Sequence, residues 1–377
     1  MSAFDAIAAR IAREGPIRFD AYVDLALYGD GGFFSSGAGA GRRSDFITSP
    51  EVGPLFGAVL ARAIDAEWER LERPDPFVVI EGGAGRGALA KAVLDASPAC
   101  APALRYVCVE RSASLRALAV DRLPSEPAEN VFGAVVGGDL DEDRVVPGTG
   151  PVVAVLDELP LEPVVGMVIA NELLDNLPFR LFERGGGTWS EVLVAVAPDG
   201  GELAELLVEA PPDDIATLDG LAPGALDGGR VPLQHEAASW LRRARESLVR
   251  GRIVLVDYAD STPSLASRPS TEWLRTYRSH QRGSDPLDAP GEQDVTCEVA
   301  VDQLRPPPTA DTAQADFLRA HGIDDLVTAA RAAWEERAHI GDLEAVKARS
   351  RVGEADAITD PTGLGAFRVL EWVVGSA

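Results

Sequence analysis

The run Glu81-Gly82-Gly83-Ala84-Gly85-Arg86-Gly87 follows a short apolar stretch, Phe77 to Ile80, and opens a helical one at Ala88. A strand that ends in glycines lets a ligand come close to the backbone. The N–H groups of the helix that follows are free to receive it. The turn by itself admits two cofactors. Gly83, Gly85 and Ala88 satisfy the G-x-G-x-x-A spacing of a dinucleotide site, which would make the chain an NAD-dependent oxidoreductase. Two carboxylates favour adenosylmethionine instead. Glu81 stands just before the glycines, where it can hold the cationic methionine end directly or through water, and where it would repel a pyrophosphate. Glu110 ends the second strand, where an acid can take both ribose hydroxyls. The expected cofactor residues are therefore Glu81, Gly83, Gly85, Gly87 and Glu110. Asp139, after a third strand read at Val131–Val136, is expected at the adenine edge.

Other polar groups sit at element ends. Asn171-Glu172-Leu173-Leu174-Asp175 follows a fourth apolar run, Val164–Ala170. Such groups can orient a nucleophile or take its proton. The plainer alternative is that Asn171 caps a helix and Asp175 is solvated. Thr48 or Ser49 reads as a helix N-cap, with Pro50 in the first turn. Glu51, Asp257, Tyr258, Tyr277, Gln293 and Asp294 are candidates to bind a substrate, and Arg278 and His280 lie near Tyr277 in sequence. The four histidines show no pairing with a cysteine or acid that suggests a metal, and none is expected. G-x-S-x-G is absent, so no serine nucleophile is legible.

These residues need a scaffold. Strands at Phe77–Ile80, Arg105–Glu110, Val131–Val136 and Val164–Ala170 alternate with helices. That rhythm implies an α/β fold with a doubly wound, mostly parallel sheet. Residues 1–75 read as a helical N-terminal cap with a small-residue loop at 35–45, and one helix runs from Ser49 to about Leu71. Residues 76–178 form the cofactor-binding core. Within 179–232, pieces at Arg180–Glu183, Glu191–Ala197 and Leu203–Glu209 suggest an antiparallel insertion. Residues 233–377 resume the core with a helix at Ala237–Val249, a strand at Ile253–Val256 and C-terminal helices.

Several unusual blocks occur in one order: GPIRFDAYVDLALYGDGGFFSS, GRRSDFITSPEVGPLFG, VIEGGAGRGALA, VIANELLDNLPFRLF, GRIVLVDYAD and TYRSHQRGSDPLDAPGEQDVT. Together they resemble the MidA family. The resemblance implies a Rossmann-like class I methyltransferase that uses S-adenosylmethionine and has a helical N-terminal part. It implies arginine methylation of a protein, from the family's mitochondrial members linked to respiratory complex I assembly. It implies that the segment Asp45–Glu51, with Thr48, Ser49 and Pro50, closes over the cofactor. It places Glu172, Asn171 and Asp175 where the transferred methyl is presented, and so makes them the expected catalytic residues. The family usually has Leu and Pro where this chain has Gly82 and Ala84. That difference keeps open a non-catalytic assembly factor that binds the cofactor without using it.

Composition bounds the partner. With 60 acidic and 35 basic residues the net charge is −25, which repels nucleic acid and steers basic proteins inward. The substrate is accordingly expected to be a basic protein. The spacing of the three cysteines fits no zinc motif and suits a reduced cytoplasm. The first residues form an amphipathic pattern at Phe4, Ile7, Ala8 and Ile11 rather than a targeting signal. No apolar run reaches membrane-spanning length. Oligomeric state is not legible.

Overall fold

Phe77–Gly82 is buried at all six positions, as the run of valine and isoleucine between Phe77 and Glu81 requires of a strand covered on both faces. It is the first strand, β1, of a seven-stranded sheet. The others are Leu104–Val109 (β2), Val152–Leu156 (β3), Val164–Asn171 (β4), Leu248–Asp257 (β5), Ala310–Ala313 (β6) and Arg368–Val374 (β7). In this computed structural model, residues 2–35, 48–132, 148–278, 281–283 and 285–375 are described. Chain contacts divide the chain into two units. One comprises Met1–Phe46, Glu172–Arg243 and Asp257–Pro308; the other comprises Ile47–Asn171, Ala244–Val256 and Thr309–Ala377. Both are discontinuous, so they cut across the four consecutive segments expected from sequence. The helices after Thr48 group with the glycine turn and not with the first 46 residues.

In the second unit the strand order is β6-β7-β5-β4-β1-β2-β3. Parallel pairing joins β1 to β2 and β4, β2 to β3, and β4 to β5; β6 and β7 pair antiparallel. The chain builds outward from β1 through β2 to β3, then returns to lay β4 on the other side of β1. Such a reversal point opens a crevice at the strand carboxyl ends, where α/β proteins take ligands. The glycine turn leaves β1 there, and Asn171 ends β4 there.

Two expectations are corrected. The third strand is Val152–Leu156; Glu129–Phe132 is a short helix, and residues 133–147 lie outside the described residues. The helix expected from Ser49 to Leu71 is two helices, Ser49–Val52 and Pro54–Arg70. They part at Gly53, where a Cβ would stand 2.1 Å from the Glu354 carboxyl carbon. That buried carboxylate accepts the Leu55 N–H at 3.0 Å and so caps the second helix.

Ser49 is fully buried. Its hydroxyl donates to Gln314 Oε1 at 3.1 Å, and Gln314 Nε2 donates to the Ile358 carbonyl at 2.9 Å. Ser49→Ala should therefore cost about 1–2 kcal/mol in chemical denaturation, because a buried acceptor loses its donor. Adenosylmethionine affinity should not change. Weakened affinity with unaltered stability would assign Ser49 to the cofactor instead.

In the first unit, Ser2 caps the helix Ala3–Glu14, whose Ala3, Ile7 and Ile11 are buried. A second helix, Phe19–Tyr28, follows. The hairpin Arg180–Gly185 and Thr188–Val196 turns at Gly186 and Gly187, with φ of 59° and 82°. Both lie in the left-handed region a two-residue hairpin turn demands. Arg230–Leu233 pairs with the first arm; Leu203–Glu209 and Ile17–Arg18 pair with the second. Phe182, Trp189, Leu218 and Val231 fill the core against this sheet. A three-stranded sheet of Gln281–Arg282, Leu274–Arg278 and Asp294–Cys297, in that order, was not anticipated.

Candidate functional site

The glycine turn belongs to the second unit. Gly83, Gly85 and Gly87 have φ of 66°, 53° and 71°, a region in which L side chains are strained. Their surroundings differ. A Cβ on Gly87 would meet Leu123 Cδ1 at 2.8 Å, so that glycine serves packing. A Cβ on Gly85 would meet no atom within 4 Å, so the open side of the turn is at Gly85. This is the cradle that a cofactor approaching the backbone requires.

The two carboxylates expected to hold the cofactor also hold the turn. Glu110 Oε2 accepts the Gly85 N–H at 2.9 Å, and Oε1 accepts the Ser112 N–H at 2.7 Å. Each oxygen keeps a second lone pair for a hydroxyl donor. Burial raises the Glu110 pKa, against the pull of the Ser112 and Gly85 N–H groups and of Arg116 and Arg111. Glu81 is only 4% exposed, and its Oε2 accepts the Tyr106 hydroxyl at 2.7 Å. Burial pushes its carboxyl up to about 8; the Tyr106 hydroxyl and the Ala90 N–H draw it back, and the Glu110 charge adds to the rise. Ala90 lies in the first turn of the helix Ala88–Asp95, so Glu81 ties the strand end to the helix start. Glu51 is half-buried in the helix Ser49–Val52, and its Oε2 has no hydrogen-bond partner. Burial lifts its carboxyl to about 7, opposed by the charges of Arg86, within the glycine turn, and Arg122. Thr48 is buried and gives no side-chain cap, and Pro50 lies in the first turn of the helix. Asp139, His280 and Asp45–Ile47 lie outside the described residues.

In the first unit the residue directly after β4, Glu172, has φ of 51°, a left-handed backbone uncommon for a non-glycine residue. Asp257 is 2% exposed and grips the same turn. Its Oδ2 accepts the N–H groups of Leu174 at 2.9 Å and Asp175 at 3.3 Å, and its Oδ1 accepts that of Tyr258 at 2.8 Å. Burial drives the Asp257 pKa well up, and the charges of Asp175 and Glu172 push it further. Asp175 is buried, not solvated, and its Oδ1 has no hydrogen-bond partner. The structure thus brings Glu172, Asp175, Asp257 and Tyr258 together. Asp294 sits beside them through Asn176, whose Nδ2 donates to Asp294 Oδ1 at 2.8 Å. Gln293 does something else: its Nε2 donates to the carbonyls of Asp285 at 2.9 Å and Asp288 at 2.6 Å, fixing that loop. Tyr277 is half-buried on the strand Leu274–Arg278, opposite Asp294.

The profile of a family described as S-adenosyl-L-methionine-dependent methyltransferases matches residues 59–318. The chain belongs to this family. The methyltransferase takes S-adenosylmethionine as its cofactor. A Drosophila melanogaster protein named Protein arginine methyltransferase NDUFAF7 homolog, mitochondrial, is 28% identical to it over 313 residues, 79% of this chain and 68% of the relative. Its Danio rerio counterpart is 27% identical, over 79% of this chain and 70% of its own. A Burkholderia thailandensis protein crystallised with S-adenosyl-homocysteine superposes with a TM-score of 0.80 at 27% identity, covering 98% of this chain and 91% of that one.

Sequence reasoning missed several partners of the methyltransferase's acids. Tyr106 is two residues before Cys108, the register partner of Glu81, so the period of a strand places it on the same face as Cys108. That signal was available. Arg275, over the Tyr258 ring at 5.5 Å, and Asn176 gave none, since their neighbours are brought by tertiary structure. Among the described residues, no helix is long and apolar enough to cross a membrane, and no cluster of acids, histidines and cysteines could hold a metal.

The acids make stability depend on pH. Burial raises the Asp175 carboxyl from 3.8 to about 7, while the Asn176 and Asp175 N–H groups and Arg275 oppose the rise. The folded chain therefore binds this proton more tightly than the unfolded chain. The stabilisation is complete below about pH 4 and is lost as pH rises through about 7. Asp175→Asn should flatten the fall in unfolding free energy across that window, as urea titrations at several pH values would show. An unchanged slope would mean that Asp175 ionises freely in the folded state.

Proposed function

We propose that this methyltransferase methylates a side-chain nitrogen in a basic protein segment, arginine foremost, and that Glu172 is the residue facing the acceptor. The observation that carries this reading is the position and conformation of Glu172. It directly follows β4, the strand beside the one that leads into the glycine turn, and it stands in a left-handed conformation at the head of a turn whose Leu174 and Asp175 N–H groups the buried Asp257 accepts. Strained residues of this kind, costing about 1–3 kcal/mol, gather at functional sites.

The strand order supports a Rossmann-like class I core, doubly wound, with residues 1–75 as a helical cap and 179–232 as an insertion. Gly83 and Gly85 cradle S-adenosylmethionine while Gly87 packs against Leu123 behind them, Glu110 offers its remaining lone pairs to the ribose hydroxyls, and Glu81 acts through the helix start it anchors. Thr48 and Pro50 stand next to Glu51, at the N-cap and in the first turn of the helix Ser49–Val52. When bound, the cofactor supplies an electrophilic methyl group. Glu172 aligns the acceptor nitrogen with its two oxygens, which match a planar guanidinium, and takes the proton that nitrogen releases. Asn171 and Asp175 flank it. The net charge of −25 draws a basic segment in, so capture should slow as salt rises. The NDUFAF7 relatives named as protein arginine methyltransferases point to the same acceptor. The three cysteines are free thiols, which suits a reduced, cytoplasmic setting.

The test is acid hydrolysis of cell protein after incubation with the methyltransferase and methyl-labelled adenosylmethionine. Label is expected in methylarginine. Protein label that escapes as methanol on hydrolysis, as that of methyl esters does, or that survives only in other methylated amino acids, would overturn the choice of acceptor.

A further inference from the structure

Asp257 is more than a neighbour of Glu172. Its carboxylate accepts three backbone N–H groups, two from the turn that Glu172 opens, at Leu174 and Asp175, and one from Tyr258. A buried carboxyl group that accepts several N–H groups is a directional anchor, because its loss leaves those donors unpaired. The anchor is buried, at 2% exposure. The backbone it holds carries the left-handed Glu172, at φ 51°, a conformation that persists only where the surroundings impose it.

We propose that Asp257 is a positioning residue for methyl transfer: it clamps the Leu174 and Asp175 amides and thereby aims the Glu172 carboxylate at the acceptor nitrogen. Asp257 itself touches neither cofactor nor substrate. The inference rests on Glu172 facing the acceptor, and the experiment separates the two.

Three variants are compared by kcat, acceptor KM and adenosylmethionine Kd: Glu172→Gln, Asp257→Asn and the double variant. Asparagine keeps the shape of the side chain but turns an amide NH2 toward a backbone N–H, so the grip on the turn loosens. A displacement of about 1 Å at a reacting group costs about 10²-fold. Asp257→Asn should therefore lower kcat about 10²-fold and leave cofactor affinity unchanged. The double variant should be no slower than Glu172→Gln alone, because a positioning residue has nothing left to position. A purely structural role would instead slow the double variant by the product of the two effects, and that result overturns the proposal. A fast Asp257→Asn beside a slow Glu172→Gln also overturns it. A wild-type rate in Glu172→Gln overturns the reading of Glu172 beneath it. If Asp257→Asn does not fold, an ester in place of the Leu174 amide removes one N–H and no side chain. That variant should slow transfer at unchanged cofactor affinity, and full activity in it refutes the clamp.

Discussion

Gly85→Val is expected to lose adenosylmethionine binding while keeping its fold. At Gly85 the backbone has φ of 53°, and a Cβ would meet no protein atom within 4 Å. The atoms valine adds therefore enter the space a cofactor needs, not the protein core. Overlap of this kind costs about 1–3 kcal/mol or more, which at about 1.4 kcal/mol per tenfold weakens binding by about 5-fold to 10²-fold or more. The left-handed backbone adds strain of about 1–3 kcal/mol, well within the usual stability of a domain. Gly186→Val controls for that strain, since its φ is 59° and its Cβ also meets nothing within 4 Å. It should lose similar stability and no affinity. Gly87→Val should damage the fold itself, because Leu123 stands 2.8 Å from its Cβ position. Calorimetry with adenosylmethionine and its demethylated product on each folded variant would show the pattern. Wild-type affinity in Gly85→Val would place the cofactor elsewhere.

Glu172→Gln should slow methyl transfer by about 10²–10⁴-fold, the usual worth of a positioned proton acceptor. Cofactor affinity should stay as it is, since the glycine turn is unchanged. Glutamine keeps the volume but removes the charge and the basic oxygen. Glu172→Gly adds a second reading. Glycine accepts a φ of 51° without steric cost, so that variant should be inactive yet about 1 kcal/mol more stable than Glu172→Gln. Gain of stability with loss of turnover would mark the strain as serving function. Full turnover in Glu172→Gln would move the acceptor role to another acid, with Asp175 and Glu51 the first to try.

The parts of this fold that were legible in sequence are those written in local patterns. Phe77–Gly82, Leu104–Val109 and Val164–Asn171 are short, mostly apolar runs between turn signals, and the hairpin at Gly186-Gly187 carries its own turn chemistry. The strand Val152–Leu156 was missed because Val131–Val136 and Val152–Leu156 are both short apolar runs, and periodicity cannot rank them. The break at Gly53 was legible, since Gly53-Pro54 ends one helix and starts the next; what lay out of sight was the cap, Glu354, some 300 residues away. The same holds at the candidate site. Glycines and strand-end acids were visible one by one. The clamp between Asp257 and the Leu174 amide joins residues 83 apart, and the left-handed Glu172 has no signature in its residue type. Asp175 looked like a solvated charge by position and is buried by its tertiary neighbours.

The most direct measurement is a crystal structure of the methyltransferase with S-adenosylhomocysteine and an arginine-bearing basic peptide. The cofactor product is expected along Gly83–Gly87, with a ribose hydroxyl on Glu110, and the peptide guanidinium within about 2.6–3.2 Å of the Glu172 carboxylate. A guanidinium bound away from Glu172, or a cofactor product away from the glycine turn, would contradict it.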